Sequence, residues 1–317
     1  MRYLITGCSG FVGAYLIRRI LEDESDARVF GVDLTVPTAE FGPRFMAIET
    51  NMLNAMDLAH CVHSAAPERL IHLASFSSVG YSWGKPIESF KNNTNIFLNL
   101  LEALHNFAPA CKVLSVGSSE EYGIVSASDL PLRETAMLKP TSPYGVARVA
   151  QESFSTVFAK GFGMNIVCTR SFNHLGAGQS PQFVVSAIGR QFVELEKGLR
   201  SSITVGDTSV VRDFLDVRDV VRAYLLLLRK GQAGEVYNIC SGVGRSIADV
   251  IAAFMEVTGL KPAVEVDQKL LRPVENPAIV GSHEKITKAF GWKPEIDFPT
   301  SLASIIDYWR NHVPKHE

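Results

Sequence analysis

Three evenly spaced glycines, Gly7, Gly10 and Gly13, stand between the apolar run Tyr3–Ile5 and a helical pattern in which Val12, Leu16, Ile17 and Ile20 recur on one side and Arg18, Arg19 and Glu22 on the other. A strand, a glycine turn and a helix in that order constrain the fold more than any other feature of the chain. Glycine permits the tight turn and lets backbone N–H groups approach a pyrophosphate, and a helix N-terminus favours that negative charge. The spacing is G-x-x-G-x-x-G rather than G-x-G-x-x-G, and glycine turns are common, so the loop alone is a moderate signal. Asp33 strengthens it. It closes the next apolar run about 20 residues beyond Gly13, where a carboxylate accepts hydrogen bonds from an adenosine ribose and repels a 2′-phosphate. That favours NAD(H) and leaves NADP(H) open.

Further apolar runs at Val29–Val32, Leu70–Leu73, Val113–Val116 and Ile166–Thr169 alternate with helical patterns. Alternation of this kind predicts a Rossmann-like, doubly wound parallel α/β sheet. From about Ser171 the pattern loosens into short mixed elements and loops. Asp213 to Arg229 reads as a strand end followed by a long apolar helix that returns to the sheet. The expected division is a dinucleotide-binding domain over 1–171 plus about 213–240, and a smaller mixed α/β substrate lobe over about 172–212 plus 241–317. A chain of 317 residues is long enough for both.

A formal net charge of −2 gives no electrostatic case for nucleic acid or an anionic membrane. The five cysteines are scattered without CxxC spacing, which argues against a disulfide framework or a metal site and for a reducing compartment. No apolar run reaches membrane-spanning length, and no signal peptide is visible before Arg2, so a cytoplasmic protein is expected.

The chemistry is expected around Tyr144. Arg148 lies four positions on, on the same helical face, where a cation stabilises tyrosinate character. Ser118, at the end of a strand in Gly117-Ser118-Ser119-Glu120-Glu121-Tyr122-Gly123, is placed to hydrogen-bond the same substrate oxygen. Arg148 keeps its charge at any working pH but does not readily release a proton, so a relay through it would suffer.

With these residues placed, the whole chain resembles the extended short-chain dehydrogenases that act on nucleotide sugars. Its Ser171–Val184 segment, Arg212–Val220 and Val236–Gly242 are similar to stretches of the GDP-4-dehydro-6-deoxy-D-mannose reductases, and Leu271-Arg272-Pro273-Val274-Glu275 resembles the segment that grips GDP. The resemblance implies a catalytic set of Ser118, Tyr144 and Arg148, with Glu120 as the base in sister dehydratases. For the cofactor it implies Gly7, Gly10, Phe11, Val12, Gly13, Asp33, Asn51, Met52, Leu73, Ala74, Ser75, Asn93, Tyr144, Arg148 and His174. For the substrate it implies Ser77, Ser78, Ser119, Asn173, Val184, Arg190, Arg212, Arg272 and Glu275, the arginines suiting a diphosphate and the glutamate suiting ribose or base donors. A homodimer through the helices around Asn93–His105 and Tyr144–Phe158 is a further implication.

Three positions depart from the pattern. Arg148 replaces a lysine, and Arg148→Lys is expected to preserve or raise activity. Asn51 stands where an aspartate commonly faces adenine, and Ile96 where a glycine is usual, which is expected to alter packing near the dimer face. The implied function is NAD(P)H-dependent reduction of the 4-keto group of a GDP-4-dehydro-6-deoxy sugar, for surface-glycan precursors. A 4,6-dehydratase or 4-epimerase with tightly bound NAD is the alternative. It is disfavoured because Phe172-Asn173-His174 continues as Leu-Gly-Ala-Gly-Gln instead of Glu-Ser-Pro-Arg-Arg-Gly. A non-catalytic nucleotide-binding protein is the third reading.

Overall fold

The run at Tyr3–Ile5 is the middle of β1 (Arg2–Thr6), whose side chains from Tyr3 onward are buried. In the computed structural model, which describes residues 1–270 and 276–314, the glycine turn leads into α1 (Phe11–Asp23). Gly13, Leu16, Ile17 and Ile20 face the core there. Each of the three aliphatic side chains contributes about 1.5–3 kcal/mol by its burial. The chain continues through β2 (Arg28–Asp33), β3 (Phe45–Glu49), α2 (Ala55–Ala65), β4 (Arg69–His72), α3 (Val79–Gly84), α4 (Pro86–Phe107), β5 (Lys112–Ser118), α5 (Pro143–Gly161) and β6 (Ile166–Ser171). After these come β7 (Asn173–Leu175), α6 (Val184–Glu196), β8 (Ser202–Val205), β9 (Val211–Asp216), α7 (Val217–Lys230), β10 (Val236–Ile239) and β11 (Gly244–Ser246). The last described elements are α8 (Ile247–Thr258), β12 (Ala263–Val266), β13 (Ala278–Ile279), α9 (Glu284–Phe290) and α10 (Phe298–His312).

Seven parallel strands form the main sheet in the order β10-β6-β5-β4-β1-β2-β3. Strand order reverses between β1 and β4. Ligands of such sheets bind in the crevice beyond the strand ends at that reversal. One face of the sheet carries α1 and α7, with Leu16, Ile20, Val220, Tyr224 and Leu228 in the core between. The other carries α2, α4 and α5 over Leu58, Val62, Phe97, Leu100 and Leu104. The helix after Asp216 does return to this sheet. Its preceding strand does not: β9 pairs with β7, β11 and β13 in a second, smaller sheet. β3, absent from the sequence reading, is the far edge strand. Ile96 is 6% exposed and packs into the core beside Phe97.

The run Arg212–Val220 ties the two sheets together through three carboxylates. Asp213 is fully buried and accepts from Ser241 N (2.7 Å), Ser241 Oγ (2.6 Å), Gly242 N (2.9 Å) and Gly281 N (3.2 Å). Burial pushes its pKa up, and these four donors oppose that by stabilising the charged form. Asp216 caps α7 and accepts from Ser301 Oγ on α10 at 2.7 Å. Asp219 accepts from the backbone N–H groups of Glu295 and Ile296, each at 2.9 Å.

Candidate active site

The glycine loop meets the segment after β4 at the reversal of strand order. Gly7 has φ +73, and a Cβ there would lie 2.7 Å from Ala74 N; a Cβ on Gly13 would lie 2.4 Å from Cys8 O. Only glycine allows so close an approach. Asp33 holds the adjoining turn, accepting from Ser9 N (2.9 Å, Oδ2) and Leu34 N (2.8 Å, Oδ1). Its oxygens retain further lone pairs for ribose hydroxyls. Asn51 follows on the exposed surface beyond β3, accepting from Leu53 N at 3.1 Å, while Met52 is buried beneath it. Ser75 Oγ is buried without a partner among the described residues, in the segment that Leu73 and Ala74 begin. Asn93 on α4 grips that same segment, accepting from Phe76 N (2.8 Å) and donating to Phe76 O (3.2 Å). The cradle and its unpaired donor fit a dinucleotide. Phe11 and Val12 are half-buried in the first turn of α1.

Ser118 ends β5. Its hydroxyl caps the following turn by accepting from Glu120 N at 3.2 Å, and Ser119 is buried next to it. Glu120 is half-buried. The residue that sequence reasoning passed over is Glu121. It is wholly buried, and its Oε1 accepts from Ser118 N at 2.7 Å. Burial first, and then neighbouring Glu152, hold the Glu121 carboxyl well above its ordinary pKa. Arg170, 3.8 Å from Glu121, is committed to Glu152 in a two-pronged pair at 2.7 and 2.8 Å. Glu121 therefore supports the backbone of Ser118. A signal was present: Ser118-x-x-Glu121 is a capping-box spacing.

Ser142 caps α5 by accepting from Gly145 N at 3.0 Å, and Pro143 opens the helix. Tyr144 follows immediately, 6% exposed. Gly145 lets this helix start lie against the Ser118 turn, since a Cβ there would come within 2.7 Å of Glu120 O. Arg148, 4% exposed, donates from Nε to Tyr144 Oη at 3.0 Å. From Nη1 it donates to Val116 O (3.1 Å) and Gln151 Oε1 (2.5 Å). The cation is thus held on the phenol oxygen. His72 lies below. Burial, and then the charge of Arg148, lower its pKa to about 3, so it is a neutral imidazole at working pH.

The remaining expected residues spread along the rim. Ser78 caps α3, and Ser77 is exposed beside it. Asn173 Nδ2 donates to Asp213 O at 3.4 Å. His174 is half-buried, with Nε2 3.2 Å from Tyr224 Oη, and the burial of its ring lowers its pKa to about 4. Arg212, 7% exposed, donates to Val211 O and Asn276 O, each at 2.8 Å. Val184 opens α6 and is exposed. Arg190, on the same helix, pairs with Glu194 at 2.7 Å and lies over the Trp309 ring at 5.6 Å. Arg272 and Glu275 lie outside the described residues. The five cysteines are buried free thiols. Among the described residues, no helix is long and apolar enough to cross a membrane.

The profile of the GDP-mannose 4,6 dehydratase family matches residues 4–305. The chain belongs to that family. It is 33% identical to GDP-6-deoxy-D-mannose reductase of Pseudomonas aeruginosa over 98% of both chains. The structure of RMD from the same organism, complexed with NADPH, superposes with TM-score 0.87 at 32% identity, covering 99% of this chain and all of that one. UDP-glucose 4-epimerase of Thermus thermophilus, in complex with NAD, superposes with TM-score 0.87 at 27% identity, covering 99% and 100%. The protein is an NAD(P)-dependent sugar-nucleotide enzyme of the extended short-chain dehydrogenase type, with the Rossmann-like sheet that class requires.

Proposed function

We propose that the enzyme reduces the keto group at position four of a GDP-4-dehydro-6-deoxy sugar, as in conversion of GDP-4-dehydro-6-deoxy-D-mannose to a GDP-D-rhamnose-type product. The observation that carries the reading is the Arg148 Nε donor fixed 3.0 Å from Tyr144 Oη, in a chain similar over its whole length to a reductase of that class. A bound reduced nicotinamide supplies the hydride. Tyr144 gives its phenolic proton to the carbonyl oxygen as that oxygen becomes a hydroxyl. Arg148 stabilises the phenolate left behind, and Ser118 steadies the substrate oxygen. Arg212, with Arg272 and Glu275, is assigned to the GDP end.

The test is loss of reduced-nicotinamide absorbance when the enzyme meets GDP-4-dehydro-6-deoxy-D-mannose. Oxidation with a GDP-6-deoxyhexose product is the expected result. Turnover of GDP-mannose alone, with no net oxidation, would instead support a dehydratase using Glu120.

Asp33 favours NADH, because a 2′-phosphate would add negative charge against its carboxylate. Asp33→Asn is expected to reduce the preference for NADH over NADPH by about tenfold, close to one unit-charge contact at a protein surface. Titration of both cofactors by fluorescence checks it; an unchanged ratio would remove Asp33 from the ribose site. We also propose a homodimer through α4 and α5, whose outer faces expose Ile87, Phe90, Phe107, Val146, Val157 and Phe162. Light scattering should give twice the chain mass, and Val157→Glu with Phe162→Glu should give the monomer. A monomeric wild-type protein contradicts the assignment.

A further inference from the structure

Arg148 stands where lysine is usual, and the sequence alone predicts that Arg148→Lys is harmless. The geometry points the other way. We infer that the site is built around a guanidinium, and that Gln151 is the residue that positions it. This deepens the proposed reductase reading and rests on it for the role of Tyr144.

Three polar atoms hold Arg148 in one orientation: Tyr144 Oη on Nε, and Val116 O and Gln151 Oε1 on Nη1. Gln151 is itself fixed. Its Nε2 donates to Ser115 Oγ (2.9 Å) and Val116 O (3.0 Å). Ser155 Oγ lies within hydrogen-bond reach of Ser115 Oγ (3.0 Å) and of Gln151 O (2.9 Å), its one proton serving one of them. All of these side chains are buried, with Gln151 and Ser115 at 2% and Ser155 at 1% exposure. A glutamine two helical turns along from Tyr144, one turn beyond Arg148, reads from sequence as a solvent-facing residue. Here it is sequestered and spends its whole amide on the cation and on β5.

Two physical consequences follow. Among the described residues, no carboxylate pairs with Arg148, so its full charge acts on the phenol, undiminished by a counter-ion. The fork is also used as a fork. A lysine ammonium ends about one bond short of Nη1, so it cannot serve Tyr144 Oη and Gln151 Oε1 together. That leaves Gln151 Oε1 a buried acceptor without a donor, which is costly. Nη2 takes none of these bonds.

The other ionisable groups around the pair do not confuse the expected pH behaviour. His72 on β4 is held neutral, its pKa lowered to about 3. Tyr224 on α7 is pushed above its ordinary pKa by burial, and Cys168 on β6, beside Ser115 and Ser155, is pushed up to about 12. On the outer side, Tyr81 of α3 is bonded to Glu88 of α4. Glu120 faces the start of α5 through its backbone carbonyl.

The sign of the effect is fixed. A cation held on the phenol oxygen stabilises the phenolate left after proton transfer more than it stabilises the phenol. Reduction needs the protonated phenol, so the basic limb of kcat reports that balance. Gln151→Met releases Arg148 and should move the limb up by about one pH unit. Gln151→Glu sets a negative charge on the guanidinium and should move it further. Ser115→Ala, which removes the anchor of the Gln151 amide, should act like Gln151→Met. In each variant kcat should fall about tenfold while NAD(P)H affinity stays within about twofold. Arg148→Lys should lose at least as much, and adding Gln151→Met should recover part of that loss by removing the stranded acceptor.

Tyrosinate absorbance of the wild type minus that of Tyr144→Phe, titrated with pH, reports the Tyr144 phenol without any substrate. An upward shift in Gln151→Met and a larger one in Gln151→Glu support the inference. An unmoved titration and limb, with any loss of rate equal at all pH, would show Gln151 to be packing only and overturn it. Wild-type activity in Arg148→Lys would overturn it too. If no GDP-keto sugar is turned over by the wild type, the substrate reading fails, and the phenol titration still decides the role of Gln151.

Discussion

Replacement of Tyr144 by phenylalanine is expected to lower kcat by about a thousandfold and to leave the Kd for reduced nicotinamide within about twofold of the wild type. The ring is 6% exposed and packs at the start of α5, so phenylalanine fills the same space. What is lost is the oxygen 3.0 Å from Arg148 Nε, the group that gives up the proton. Removal of that hydroxyl also leaves Nε with one acceptor fewer, a stability cost of about 1 kcal/mol, too small to unfold the protein. Single-turnover reduction and cofactor titration on the same preparation separate the two quantities. Equal loss of rate and of cofactor affinity would mean that Tyr144 holds the cofactor and does not act as the acid.

Asp213→Ala is expected to produce the largest loss of stability of any single change in the Arg212–Val220 run, about 3–5 kcal/mol. The carboxylate is fully buried and receives four hydrogen bonds, three of them from the backbone N–H groups of Ser241, Gly242 and Gly281. Alanine leaves all three donors without their acceptor, Gly281 N in a buried position and Ser241 N and Gly242 N in part-buried ones. At about 2–4 °C per kcal/mol, the melting temperature should fall by roughly 10 °C. Asp213→Asn keeps the shape and some acceptor capacity, so its fall should be smaller. A melting temperature within a degree or two of the wild type for Asp213→Ala would show that this clamp does not hold the two sheets together.

The fold was legible where local chemistry and tertiary structure agree. Gly7, Gly10 and Gly13 follow a strand and open a helix, and the apolar runs fall on β1, β2, β4, β5 and β6. β3 escaped because Phe45–Glu49 is an edge strand with no fully buried position, its residues partly buried or exposed in no clean alternation. The Asp213 segment read as part of the main sheet because its following helix does belong there. Which sheet a strand joins depends on partners such as β11 and β13, far along the chain, that leave no local trace.

Site residues divide in the same way. Tyr144 and Arg148 could be paired from helical spacing alone, and the 3.0 Å contact agrees with it. Glu120 drew attention, and the wholly buried neighbour Glu121 did not, because burial of a carboxylate is decided by Arg170 and Glu152 from other elements. Gln151 was invisible for the same reason. A glutamine in a helix reads as surface until Ser115 and Val116 of β5 are seen beneath it. Arg272 and Glu275, expected at the GDP end, lie outside the described residues, and Arg212 donates to Asn276 O.

The most direct test of the account uses nicotinamide cofactor carrying deuterium at the transferable position, with GDP-4-dehydro-6-deoxy-D-mannose as substrate. The account predicts one deuterium at carbon four of the sugar for each cofactor oxidised, and no product above background with Tyr144→Phe. Bound cofactor with no label transferred to carbon four, or product formed without net cofactor oxidation, would contradict it.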